Sequence, residues 1–96
     1  MSILGLAQNK GLNQKISISL KEISLEKALD SIARKTNTYF TYDASILIDR
    51  PHVNIQAKEE ILYNVLRQII PDTTLDFQLI NKQIIIVPAK QKKNLA

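Results

Sequence analysis

The chain has no cysteine, no tryptophan, a single histidine and only two glycines. Without thiols there can be no disulfide, no thiolate metal site and no cysteine nucleophile. The lone His52 cannot build a multi-histidine metal centre. Gly5 and Gly11 both precede the first patterned segment, so no glycine-rich loop is available to cradle a phosphate. The longest uninterrupted apolar run is Ile84-Ile85-Ile86-Val87, far short of the roughly 20 residues of a spanning helix. What the chain does have is 96 residues, 45% hydrophobic and 23% charged, with five aromatics: Tyr39, Phe40, Tyr42, Tyr63 and Phe77. That is one globular domain with room for one core, and its composition is not that of a disordered chain.

The formal charge of +4 raises the question of nucleic acid. From Lys15 to Ala89, nine bases are balanced by nine acids, and the whole excess lies in Lys10, Lys90, Lys92 and Lys93. A nucleic-acid domain concentrates its cations on the folded face that meets the phosphates. Here they flank the patterned region, as solvated tails do. Residues 1–14 read as disorder, linker or the remnant of a signal peptide, with Gly5-Leu6-Ala7 placing small residues before a cut ahead of Gln8. Residues 15–88 read as the domain. Residues 89–96 lose all periodicity and read as a basic linker.

The most informative feature is an internal repeat. A shift of 37 positions lays Ile18 on Ile55, Lys21 on Lys58, Glu22 on Glu59, Leu25 on Leu62 and Leu29 on Leu66. It continues with Ile32 on Ile69, Thr36 on Thr73 and Phe40 on Phe77, and with the conservative pairs Ile16–Val53, Ala28–Val65 and Tyr42–Leu79. Two copies predict a pseudo-symmetric domain, because a solenoid needs three or more.

Each copy reads strand, helix, strand. Lys15–Leu20 and His52–Ala57 alternate apolar with polar residues. Leu25, Ala28, Leu29, Ile32 and Ala33 form a stripe at helical period, and Leu62, Val65, Leu66, Ile69 and Ile70 repeat it. Ser24 is placed as an N-cap and Asn37 as a left-handed terminator. The second helix shows no cap; Glu59 and Glu60 are expected in its first turn, and Pro71 stops it. Closing strands are expected at Tyr39–Tyr42 and Leu75–Ile80, with an added strand, Gln83–Val87, across a turn at Asn81-Lys82. In the connector from Asp43 to Pro51, Ile46, Leu47 and Ile48 are expected to form one packed turn. The predicted order is β-α-β-β-α-β-β, an α+β domain of two pseudo-symmetric β-α-β units.

This order resembles the secretin and TonB N-terminus short domain (STN). The resemblance spans about Lys15 to Val87 and is carried by Ile18–Leu29, by Tyr39-Phe-Thr-Tyr-Asp43 and by Leu75–Val87. These are patterned core positions, not catalytic signatures. The Ile-, Lys- and Asn-rich composition is similar to versions attached to TonB-dependent receptors of Bacteroidetes-type bacteria. The resemblance implies two helices held between two small β-sheets, on the periplasmic side of the outer membrane of a Gram-negative bacterium. It also implies a relay role, passing the ligand-bound state of a receptor barrel to a periplasmic anti-sigma regulator. Alternatives within it are the N-terminal docking domain of a secretin channel, which contacts inner-membrane components, and the related C-terminal module of anti-sigma regulators. In each case the other contacts would be with the rest of the domain's own receptor or channel chain, without membrane insertion by the domain itself.

No enzyme constellation accompanies this pattern. Nucleophile, base and orienting group do not converge in the sequence, and no catalytic, metal or cofactor residue is assigned. The RNA-recognition motif shares the order β-α-β-β-α-β but stacks bases on strand aromatics. The strand His52–Ala57 has none, so RNA is a remote alternative. Partner-binding candidates come from apolar residues in excess of one core's needs. The last strand is apolar on both faces, either as a covered central strand or with one face left for a partner. Gln83, Ile85 and Val87 form that second face, and Tyr39 and Thr41, opposite the inward Phe40 and Tyr42, are placed beside it.

Overall fold

The computed structural model describes residues 11–89. In chain order these form β1 (Lys15–Ile23), α1 (Leu25–Thr36), β2 (Tyr39–Thr41), a 3-10 turn (Ala44–Leu47), β3 (Val53–Ile61), α2 (Leu62–Ile69), β4 (Leu75–Ile80) and β5 (Gln83–Pro88). The fold is α+β, with two helices and two small sheets. Strands β1 and β3 pair antiparallel as a ribbon. The other sheet has the order β2-β5-β4, with β2 parallel and β4 antiparallel to β5.

The repeat is visible in the ribbon as a pseudo-two-fold axis. Ser19 faces Gln56, its own repeat equivalent, and the pairs Ile18–Ala57 and Leu20–Ile55 exchange under the 37-residue shift. Both strands carry a bulge, one at Lys21-Glu22 opposite Asn54 and one at Lys58-Glu59 opposite Ser17. Glu22 and Glu59 both take φ 51°, a left-handed value uncommon for a non-glycine residue. Each bulged N–H is then met by the same device. Glu22 donates to Asn54 Oδ1 at 3.0 Å, and Glu59 donates to Ser17 Oγ at 3.0 Å. Asn54 and Ser17 are again 37 residues apart.

These bulges correct the sequence reading at both strand ends. Each ribbon strand runs past the expected stop, because the bulge absorbs the extra residue and pairing resumes at Ile23 and at Glu60. Glu59 and Glu60 therefore lie in β3, not in the first turn of the second helix, which begins at Leu62. That helix is capped from outside. The N–H groups of Leu62 and Tyr63 donate to the carbonyls of Gln14 and Leu12, at 2.8 and 2.9 Å. Leu12 also packs against the core, so residues 11–14, read from the sequence as linker, belong to the fold. At the other end Ala89 donates to the Thr74 carbonyl at 2.8 Å and prolongs the last ladder. The rest of both expected tails, including the signal-like stretch before Gln8 and Lys10, Lys90, Lys92 and Lys93, lies outside the described residues.

Helix α1 follows its sequence signals. Ser24 accepts from the Lys27 N–H, and Asn37 ends the helix at φ 58° and ψ 49°. The equivalent positions Leu25, Ala28, Leu29, Ile32 and Leu62, Val65, Leu66, Ile69 are buried in both helices. They join Ile16, Val53 and Ile55 from the ribbon and Phe77, Ile84 and Ile86 from the other sheet in one core. The two-fold breaks in that second sheet. There β2 and β4 are repeat equivalents, and β5, which has no counterpart in the first copy, is inserted between them.

The connector is only partly packed: Ile46 and Leu47 touch the core, whereas Ile48 is 66% exposed. Here the chain is held by Arg50. Its guanidinium donates to the Ile46 carbonyl at 2.6 Å and to both carboxylate oxygens of Asp72 at 2.6 and 3.2 Å. The hydrogen bonds from Arg50 hold the Asp72 carboxyl below its ordinary pKa. A depressed carboxylate stabilises the fold above its unfolded pKa and loses that contribution as pH falls through the folded value. Asp72→Asn is accordingly expected to lower the urea midpoint at neutral pH. The gap from wild type should begin to close as pH nears the ordinary aspartate value of about 3.9 and should finish closing below the lower folded value. A gap that persists unchanged at pH 2 would show that the carboxylate charge is not what matters.

Candidate interaction surface

Alternation along the three-stranded sheet sorts its residues by face. Ile84 and Ile86 of β5 are buried, with Phe77 of β4 beside them. The opposite face collects all five residues singled out from the sequence. Tyr39 pairs with Gln83 and Thr41 with Ile85 across the parallel ladder, and Val87 follows two residues on along β5. Gln83 Nε2 donates to Thr41 Oγ1 at 2.6 Å, tying the two strands on this side. Tyr39 is 68% exposed, and Ile85 and Val87 are half-buried.

The structure resolves the two readings left open for β5. The strand is central, with neighbours on both sides, yet only one of its faces is fully covered. Its backbone is committed to β2 and β4, so a partner strand cannot add to it; what it presents is a surface of side chains.

Three further residues belong to this face. Asp76 lies across from Val87, Gln78 across from Ile85, and Ile80, 51% exposed, across from Gln83. The period-2 alternation of β4 could have found them once Phe77 was placed inward, but the strand's neighbour was not readable from the sequence. Tyr39, Thr41, Gln78, Ile80, Gln83, Ile85 and Val87 are uncharged, and the carboxylate of Asp76 is already engaged by Arg67, Tyr63 and the Phe77 N–H. Covering the seven uncharged side chains costs little desolvation, because none of them is an ion to strip of water.

The start of the outer edge of β4 is bonded by side chains. Arg67 of α2 donates to the Asp72 carbonyl at 2.8 Å and to the Leu75 carbonyl, and it reaches Asp76 at 3.5 Å. The Asp76 carboxylate accepts the Phe77 N–H at 2.8 Å and the Tyr63 hydroxyl at 3.1 Å. The Arg67 guanidinium lies 4.8 Å from the centroid of Phe77, and Tyr63 meets the same ring edge-on at 5.8 Å. Asp72 and Asp76 are thus engaged carboxylates. The Leu75 carbonyl and the Phe77 N–H, two edge groups that would invite another strand, are already bonded.

His52 stands at the surface, 3.5 Å from Glu22, with a side chain 63% exposed. Among the described residues there is no group of three or more His, Cys, Asp or Glu able to hold a metal ion, and no helix long and apolar enough to cross a membrane. A scan against protein-family models finds no match to the chain, and a search of curated proteins finds none either.

Proposed function

We propose that this chain is a non-enzymatic protein–protein interaction domain of the STN type. In this reading it lies on the periplasmic side of the outer membrane and relays the ligand-bound state of a TonB-dependent receptor to an anti-sigma regulator. The observation that carries the reading is the outer face of the β2-β5-β4 sheet. Seven uncharged side chains from three hydrogen-bonded strands share it, with Asp76 at one end, and the buried row Phe77, Ile84 and Ile86 fixes it from behind. A rigid, mixed apolar and amide surface suits recognition of another polypeptide, since its side chains are ordered before the partner arrives. The duplicated β-α-β unit is the architecture that the family resemblance implies.

The test is a titration of the labelled 96-residue chain with the periplasmic half of such a regulator. Amide shifts are expected to cluster on Tyr39, Thr41, Gln78, Ile80, Gln83, Ile85 and Val87, and Ile85→Lys is expected to abolish them. No binding at high micromolar concentration, or shifts confined to the β1–β3 ribbon, would overturn the relay reading. Binding of an inner-membrane secretion component in place of the regulator would move the domain to the mouth of a secretin. Salt-sensitive retention on single-stranded RNA would replace both.

A further inference from the structure

The pseudo-two-fold allows one half of the domain to be used as a template for the other. It equates Arg67 with Asp30, Tyr63 with Glu26, Phe77 with Phe40 and Leu75 with Thr38. In the second copy the Arg67 guanidinium covers the Phe77 ring and caps the Leu75 carbonyl of the edge strand. Phe77 is fully buried. In the first copy the corresponding place is an open groove of about 880 Å³ between α1 and β2. Phe40 lines it and is only half-buried. Among the described residues no cation lies over the Phe40 ring. Arg34, one turn along α1, pairs with Asp30 at an exposed position instead.

The groove differs in chemistry from its twin. Where the second copy has a guanidinium and a phenol, the first has the carboxylates of Asp30 and Glu26. Lys27 and Arg34 also line it, and Arg34 is the exposed partner of Asp30 that an incoming guanidinium would displace. The field of the carboxylates is felt inside: burial, Glu26 and Asp30 together push the Tyr42 hydroxyl above its ordinary pKa. The groove also runs beside a free sheet edge, because β2 has a neighbour only in β5. Tyr39 donates its N–H to the Lys82 carbonyl at 2.8 Å. By the alternation of a parallel ladder, the N–H and C=O of Phe40 therefore point away from β5.

We propose that the groove between α1 and β2 binds an extended, arginine-bearing segment of a partner protein. The segment lies along the open edge of β2, and its guanidinium sits over Phe40 beside Glu26 and Asp30, as Arg67 sits over Phe77. This surface is distinct from the outer sheet face, and its occupation reports on different amides, so the two readings stand or fall separately. Backbone pairing supplies the register, and the carboxylates with the aromatic face select the cation.

The experiment titrates the ¹⁵N-labelled 96-residue chain, at low salt, with a blocked Thr-Val-Arg-Val-Thr peptide and with its citrulline counterpart. Citrulline keeps the shape and removes the charge. Saturable shifts are expected at the amides of Ala33, Thr38, Phe40 and Tyr42. The citrulline peptide and the Asp30→Asn variant are each expected to weaken binding by about tenfold or more. Installing the twin's own side chains, Glu26→Tyr with Asp30→Arg, should close the groove and abolish binding; if that variant does not fold, Asp30→Asn carries the test alone. Several results would overturn the proposal: no saturable shift up to about 10 mM peptide, equal affinity for both peptides, or shifts on β4 or the sheet face. Deletion of residues 90–96 that alone moved the same amides would assign the groove to the chain's own basic tail, and would overturn it too.

Discussion

Leu29→Ala and Leu66→Ala are each expected to lower the free energy of unfolding by about 2–5 kcal/mol. The two leucines are repeat equivalents at the centres of their helix stripes, 1% and 0% exposed. Truncation removes the transfer free energy of the deleted carbons and leaves a cavity that the surrounding aliphatic side chains can only partly fill. In a domain this small, total stability is expected to be on the order of 5–10 kcal/mol. Either substitution should therefore shift the urea midpoint strongly, and the double variant should fail to fold. Exposed positions on the same helices supply the contrast. Glu26→Ala and Asn64→Ala should stay within about 0.5 kcal/mol. If either leucine proved nearly neutral, the buried faces of α1 and α2 would have to be redrawn.

Arg67→Ala is expected to cost about 2–4 kcal/mol, although the residue carries a charge and its side chain is not fully buried (25% exposed). The guanidinium serves several partners at once. Its loss removes the donor from the Asp72 and Leu75 carbonyls, takes one donor from Asp76 and uncovers the ring of Phe77. Arg67→Lys should recover only part of the loss, since an ammonium cannot reproduce the planar fork or its stacking on the ring. Arg34→Ala is the internal control. Its ion pair with Asp30 is 78% and 58% exposed on its two sides, and exposed pairs contribute little. Equal costs at Arg67 and Arg34, read from urea unfolding, would mean that the contacts of Arg67 at the β4 edge add nothing to stability.

Much of the fold was legible because burial repeats at short range. Ile16, Ile18 and Leu20 alternate at the period of a strand, and Leu25, Ala28, Leu29 and Ile32 step at the period of a helix. These signals need only a dozen consecutive residues to be read. The candidate surface was legible in part for the same reason: outward alternation picked out Tyr39, Thr41, Gln83, Ile85 and Val87, and the sheet brings them onto one face. Ile80 and Gln78 were missed because their place depends on which strand lies beside β4. The bulges were missed because Glu22 and Glu59 are not residue types that announce a left-handed backbone. The Lys-Glu pair repeated at 21–22 and 58–59 was the trace they left in the sequence.

The sequence by itself determined the element order, the two helix faces and the duplication, since each is encoded in the spacing of apolar side chains along a few turns or strand residues. Tertiary structure alone decided how backbone groups far apart in the chain meet. It placed the Leu12 and Gln14 carbonyls over the start of α2, set β5 between β2 and β4, and brought Arg67 and Asp76 onto the β4 edge while leaving the β2 edge open. Every residue carries the same N–H and C=O, so the identity of a distant partner is not encoded in side-chain pattern and emerges only when the core brings the strands together.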